Sequence, residues 1–198
     1  MPGHALLSVY DKSGLDRLAD SLSKHGIPII ASGGTAETLR KLGYSVKEVS
    51  EHTGMPEMPA GLVKTLHPRI HAGILGDWND PAQRKYLVEN KVEPFDLVVV
   101  NLYPFHEVVG VRPINIKKAV DNIDIGGVAL IRAAAKGALL NGRVAPVTSP
   151  TQYERIIGDL DRYGRISSTL RRTLVVEAFT LTSQYDSMIS DYFRGNKK

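Results

Sequence analysis

Five short stretches of this chain hold side chains that could do chemistry together. Ser32-Gly33-Gly34-Thr35 combines two hydroxyls with two glycines. Glycines let a backbone approach an anion closely, and free amides at a helix start favour a phosphate. The same tetrapeptide also reads as a plain turn with a capping Thr35. Asp11-Lys12-Ser13 offers a cation and a hydroxyl near another helix start, unless Lys12 is simply a surface lysine. Lys64-Thr65-Leu66-His67-Pro68 holds a lysine in a Pro-bounded loop. There Lys64 could meet a developing oxyanion or lie solvated.

Asn101-Leu102-Tyr103-Pro104-Phe105 either aims Asn101 and Tyr103 into a ligand crevice or plugs the core with an aromatic turn. In Asp124-Ile125-Gly126-Gly127, Asp124 is either a helix cap or a base. The helix that follows carries Arg132 and Lys136. A straight helix rises about 15 Å between Gly126 and Lys136, so joint contact with one substrate needs a bend or a reach back. His67 and His71 are spaced as metal ligands on a helix could be, but Pro68 intervenes and no third ligand is evident. Two structural histidines are expected and no metal. There is no Walker-type or GxGxxG fingerprint, and no Ser-His-Asp set is legible.

These groups need a scaffold, and the chain alternates strands and helices. Ala5–Tyr10 and Asp96–Val100 are apolar runs that read as buried strands. Ile27–Ala31 is a strand whose Pro28 points to an edge or to its very start. Ser45–Val49 is a weak strand and Arg143–Val147 a final one. Helices are expected after Ser13 up to Gly26, over Ala36–Leu42, Pro81–Asn90, Ile114–Asn122, Val128–Leu139, Pro150–Tyr163 and Ser167–Phe193. The last carries an apolar stripe from Leu170 to Tyr192, suited to a sheet or a partner. Residues 50–70 show no clear period and read as a functional loop. The predicted class is α/β: a doubly wound, mainly parallel sheet flanked by helices. Ligands bind such sheets at the loops after the strands' carboxyl ends, here Tyr10–Ser13, Ser32–Thr35 and Asn101–Phe105.

Composition narrows the classes. With 198 residues the chain predicts one domain, or one with a small appendage. Hydrophobic residues at 42% and charged residues at 23% exclude whole-chain disorder. The absence of cysteine removes disulfides, thiolate zinc sites and a thiol nucleophile. The N-terminus lacks a signal-peptide pattern, and no apolar run approaches a membrane span. A cytoplasmic protein without a membrane partner is expected. The net charge of +4 favours an anionic ligand. With no basic run, it gives a nucleic-acid partner little support.

SVxDK, ASGGT, VKTLHPRIHAGIL, DLVVVNLYPF and IDIGG…RAAAK follow one another in an order and spacing that closely resembles the IMP cyclohydrolase domain of the bifunctional AICAR transformylase/IMP cyclohydrolase family. The resemblance spans about Ala5 to Phe193. It implies a methylglyoxal-synthase-like fold and the dehydrative closure of formyl-AICAR (FAICAR) to IMP, without cofactor or metal. Carried over by position, it implies catalytic roles for Lys64 at the oxyanion, Tyr103 in orienting substrate, and Asp124 as base paired with Lys136. Amides near Gly126 and Gly127 would assist. The phosphate would lie against Asp11, Lys12, Ser13, Ser32, Gly33, Gly34 and Thr35, with Thr65 and Asn101 also binding. A homodimer is implied; with the family's transformylase domain missing, the sequence reads as a stand-alone cyclohydrolase, with a separate transformylase as partner, or as an excised domain. The chain departs from the family at Tyr10, where Ser is usual, at Leu62, where Arg is usual, at Gly137, where Asn is common, and at Leu181, where His is usual. The rivals are methylglyoxal synthase and a nucleotide-binding regulatory module of the same fold.

Overall fold

The computed structural model describes residues 3–58, 61, 63, 65–105 and 116–195. Lys64 and Leu62 lie outside the described residues, as does the start of the expected helix at Ile114. Five strands form one sheet among the described residues: β1 (His4–Val9), β2 (Ile29–Ala31), β3 (Val46–Glu48), β4 (Phe95–Asn101) and β5 (Ala145–Val147). Their order is β3-β2-β1-β4-β5, and every pair is parallel. The expectation of a mainly parallel, doubly wound sheet holds. Parallel strands are buried on both faces, which explains why β1 and β4 read as continuous apolar runs.

The two prolines of the strand regions sit where the ladder tolerates them. Pro28 precedes β2, an interior strand, and its carbonyl accepts the Ala5 amide at 2.9 Å. Of the two sequence readings, an edge or a start, the start is correct. Pro146 lies within β5, which pairs with β4 alone, so a strand edge there needs no donor.

Helices cover both faces. One layer comprises α1 (Leu15–Lys24), α2 (Gly33–Lys41) and α8 (Tyr153–Tyr163). Leu18, Leu22, Leu39, Ile156 and Leu160 pack there against Ala5, Leu7, Leu97 and Val99. The opposite layer comprises α4 (Pro68–Leu75) and α7 (Gly126–Leu140). Ile70, Ile74, Leu130 and Ala134 pack there against Leu6, Ile30, Val98 and Val100. Shorter helices are α3 (Val49–Thr53), α5 (Pro81–Glu89) and α6 (Ile116–Asp121).

Helix α9 (Ser168–Gly195) resolves the question raised by its stripe. Leu174, Val175 and Ala178 pack on the sheet layers, while Tyr185, Met188 and Tyr192 pack around fully buried Phe105. The stripe is consumed inside the chain. No helix among the described residues is long and apolar enough to cross a membrane.

Residues 50–70 are less irregular than expected. Glu48 and Glu51 form a reciprocal capping box that closes α3 at its start. His67 caps α4 by accepting the Arg69 amide on Nδ1 at 3.1 Å, with Pro68 at the first helical position. Burial lowers the His67 pKa, aided by Arg69 and His71, which suits a neutral acceptor nitrogen. His67 is therefore structural, as expected. No group of His, Cys, Asp or Glu among the described residues is placed to hold a metal ion.

Candidate active site

The strand order reverses between β1 and β4, which is where ligands enter such sheets. The registers pair Ser8 with Val100 and Val9 with Asn101, so both strands end at one level. A cleft of about 420 Å³ opens there. It is lined by the loop after β1, the start of α2, the turn containing Thr65, the end of β4 and the start of α7.

The loop after β1 is tied to β4 by one side chain. Asn101 Oδ1 accepts the Tyr10 amide at 2.6 Å and the Asp11 amide at 2.8 Å, and its Nδ2 donates to the Asp11 carbonyl at 2.9 Å. Asn101 thus shapes the loop while lining the cleft. Lys12 also lines it, with Nζ 3.3 Å from the Tyr10 carbonyl. In this contact the lysine meets a backbone carbonyl of its own loop.

Ser32, Gly34 and Thr35 form the second wall. Ser32 precedes α2 in extended conformation with no side-chain cap bond, so the first turn presents backbone amides. Thr35 is buried, and its hydroxyl donates to the Val9 carbonyl and accepts the Val9 amide, both at 3.1 Å. That hydroxyl ties β1 to α2. The Ser32 hydroxyl lies 3.1 Å from Ser8 Oγ. Ser8 is a lining residue that the sequence reading missed. Its signal was a lone hydroxyl in an otherwise apolar strand run.

The third wall is the start of α7. Asp124 Oδ1 accepts the Gly127 amide at 2.7 Å, and the Asp124 amide donates to Tyr185 Oη at 2.8 Å. A Cβ on Gly127 would lie 2.6 Å from Asp124 Oδ2 and 2.8 Å from Leu102 Cδ2. A Cβ on Gly126 would lie 2.8 Å from Thr65 Oγ1. The paired glycines are therefore what lets Asp124 and Thr65 close on the helix start. Asp124 both caps the helix and faces the cleft, so the two sequence readings of it are compatible. Tyr103, half exposed, stands at the rim. Gly61 and the residues from Asp121 to Ile125 also line the cleft. Except for Asp124, none of them was singled out in the sequence as a site residue.

Several expected site residues lie elsewhere. Asp11 lines an adjacent cavity of about 630 Å³ instead of the cleft. Its Oδ1 accepts the Ser13 amide at 2.9 Å, and hydrogen bonding from Ser13 lowers its pKa. A carboxylate so held organises the loop. Ser13 and Gly33 are not among the lining residues either. Lys136 is exposed on α7, and that helix runs unbroken from Gly126 to Leu140. The expected pairing of Lys136 with Asp124 is therefore not made within one chain, because about 15 Å of helix separates Lys136 from the cleft. Gly137 occupies the position where the resemblance has Asn. A Cβ there would lie 2.5 Å from the Ile74 carbonyl oxygen, so α4 and α7 meet too closely for any side chain.

Comparisons with known proteins agree with this architecture. Residues 14–129 match the MGS-like domain, and residues 134–198 match the AICARFT/IMPCHase bienzyme family. A bifunctional purine biosynthesis protein PurH of Synechococcus sp. strain CC9311 is 46% identical over 192 residues, covering 96% of this chain and 36% of that protein. Its counterpart in strain CC9605 is 48% identical over 187 residues, covering 93% and 35%. The chain thus spans about a third of the length of these curated relatives. The crystal structure of ForH superposes with a TM-score of 0.81 at 28% identity, covering 98% of this chain and all of that one. With its parallel sheet, its cleft at the strand reversal and a match over residues 14–129, the chain belongs to the MGS-like domain family.

Proposed function

We propose that the chain is an IMP cyclohydrolase, closing FAICAR to IMP with release of water. The observation that carries this is the single cleft holding Lys12, the α2 start, Tyr103, Asp124 and the glycine-rich α7 start. The relatives that match nearly the whole chain are named for purine biosynthesis.

The carboxamide nitrogen of FAICAR is a weak nucleophile, so holding it against the neighbouring formyl carbon supplies much of the rate. The C–N bond forms, the nitrogen loses a proton, and the former formyl oxygen carries charge in the tetrahedral adduct. The C–O bond then breaks as a C=N bond forms to the former formamide nitrogen, and that nitrogen's proton, with the one taken from the carboxamide nitrogen, leaves with the oxygen as water. Phosphate recognition falls to Lys12 and the α2 amides, since the Thr35 hydroxyl is engaged with β1. Asp124 takes the nitrogen's proton. Lys64 stabilises the oxyanion, a role resting on the family resemblance. Gly127 already donates to Asp124, so the assisting amide is assigned to Gly126. Tyr103 orients the substrate from the rim.

The working form proposed is a cytoplasmic homodimer. Val176 on α9 and Leu139 and Leu140 on α7 stay exposed and are apolar, which supports association. Lys136 contributes only where a second copy brings it to a neighbour's cleft. The test is turnover of FAICAR by Lys64→Ala and Asp124→Asn proteins. Near-normal turnover by Lys64→Ala would remove the oxyanion role, and near-normal turnover by Asp124→Asn would remove the base.

A further inference from the structure

We propose that Tyr10 is a positioning residue for Tyr103, holding the phenol that orients substrate at the cleft rim; this rests on the cyclohydrolase reading. The two rings lie 4.7 Å apart between centroids, with planes inclined by 47°. The rings are tilted against each other at a separation within the range of interacting aromatic pairs. Tyr10 is 50% exposed and Tyr103 49%, so neither ring is fixed by burial. Each backbone, by contrast, is anchored. The Tyr10 amide is held by Asn101, and the Tyr103 carbonyl accepts the amide of buried Phe105 at 2.8 Å.

Such a phenol can swing out of the cleft unless something occupies the space beside it. Tyr10 is that neighbour, and it lines both the cleft and the adjacent cavity. The pair forms the wall between the two spaces. The usual Ser of the family would leave this wall open. The same residue's carbonyl meets Lys12 Nζ, so the phosphate-side loop and the orienting phenol share one anchor. A positioning contact of this kind acts on the chemical step. Ground-state phosphate binding, carried by Lys12 and α2, is unaffected.

The experiment compares Tyr10→Ala, Tyr10→Phe, Tyr103→Ala and the Tyr10→Ala/Tyr103→Ala double variant in FAICAR turnover. Tyr10→Ala should lower kcat roughly two- to tenfold with KM nearly unchanged, the range an aromatic pair supplies. Tyr10→Phe should restore it, since the contact needs a ring and no hydroxyl. In the Tyr103→Ala background, Tyr10→Ala should have no further effect on kcat. A loss in KM alone, or an undiminished effect in that background, would show a loop role and overturn the proposal. Ring-labelled tyrosine NMR tests the contact independently of turnover. The Tyr103 ring resonances should shift in Tyr10→Ala and hold in Tyr10→Phe. Unmoved resonances in Tyr10→Ala overturn the proposal even in an active enzyme, whereas a ring shift in a chain that forms no IMP overturns only the cyclohydrolase reading.

Discussion

Gly127 donates its amide to the Asp124 carboxylate at 2.7 Å, and the glycine's missing side chain is what makes room for that carboxylate. The bond fixes the carboxylate at the start of α7, the positive end of the helix dipole. The carboxylate is thus oriented by the fold itself.

Gly127→Ala should therefore act on Asp124. The new Cβ would meet Oδ2 at 2.6 Å and force the carboxylate aside. General-base catalysis contributes typically 10²–10⁴-fold, so kcat should fall by about tenfold or more while circular dichroism stays unchanged. Unaltered kcat would show that the carboxylate position does not matter.

Asn101→Ala removes three hydrogen bonds between β4 and the loop after β1. Lys12 and Tyr10 are both carried by that loop. KM for FAICAR should rise several-fold and kcat should fall, read by steady-state kinetics. Global stability should drop by only about 1–3 kcal/mol, since the bonds are exposed.

Gly137→Ala tests the α4–α7 packing. The added carbon would lie 2.5 Å from the Ile74 carbonyl oxygen and 2.9 Å from Val144 Cγ1. Both neighbours are packed in the core, so the helices must separate. A loss of about 1–3 kcal/mol in urea unfolding is expected. An unchanged midpoint would mean that the helices part freely.

His52 sets a pH dependence of stability. It is buried beside Glu93, whose Oε2 lies 3.1 Å from Nδ1. Burial pushes its pKa from 6.5 down to about 4; Glu93 opposes the shift, while Lys47, His4 and Arg69 add to it. The unfolded chain therefore binds the extra proton as pH falls below 6.5, and the folded chain does so only near 4. The stabilisation is complete above pH 6.5 and is lost between 6.5 and 4. Urea midpoints taken across that window should fall with pH, and the slope should be smaller in His52→Gln. Equal slopes would remove His52 as the cause.

Much of this architecture is legible in the sequence because the buried parallel strands are apolar runs, as in Leu97–Val100. The strand order is not legible, since pairing β1 with both β2 and β4 is a non-local choice. Helix α4 was hidden because Pro68 and Gly73 look like loop residues, although Ile70 and Ile74 already had helical spacing. The glycine-rich starts of α2 and α7 could be placed by sequence. What could not be placed is which of their groups are already committed to the fold. The Thr35 hydroxyl and the Asp11 carboxylate read as ligand groups and serve the backbone. Helix rise left Lys136 two ways to meet Asp124, a bend or a reach back, and the unbroken α7 removes the bend.

The central claim is tested most directly by mixing the purified chain with FAICAR, without added metal or cofactor, and following IMP formation. IMP should appear at a rate far above the uncatalysed closure and proportional to protein. Tight nucleotide binding with no IMP above the uncatalysed rate would contradict the account and make the cleft a nucleotide-binding regulatory site.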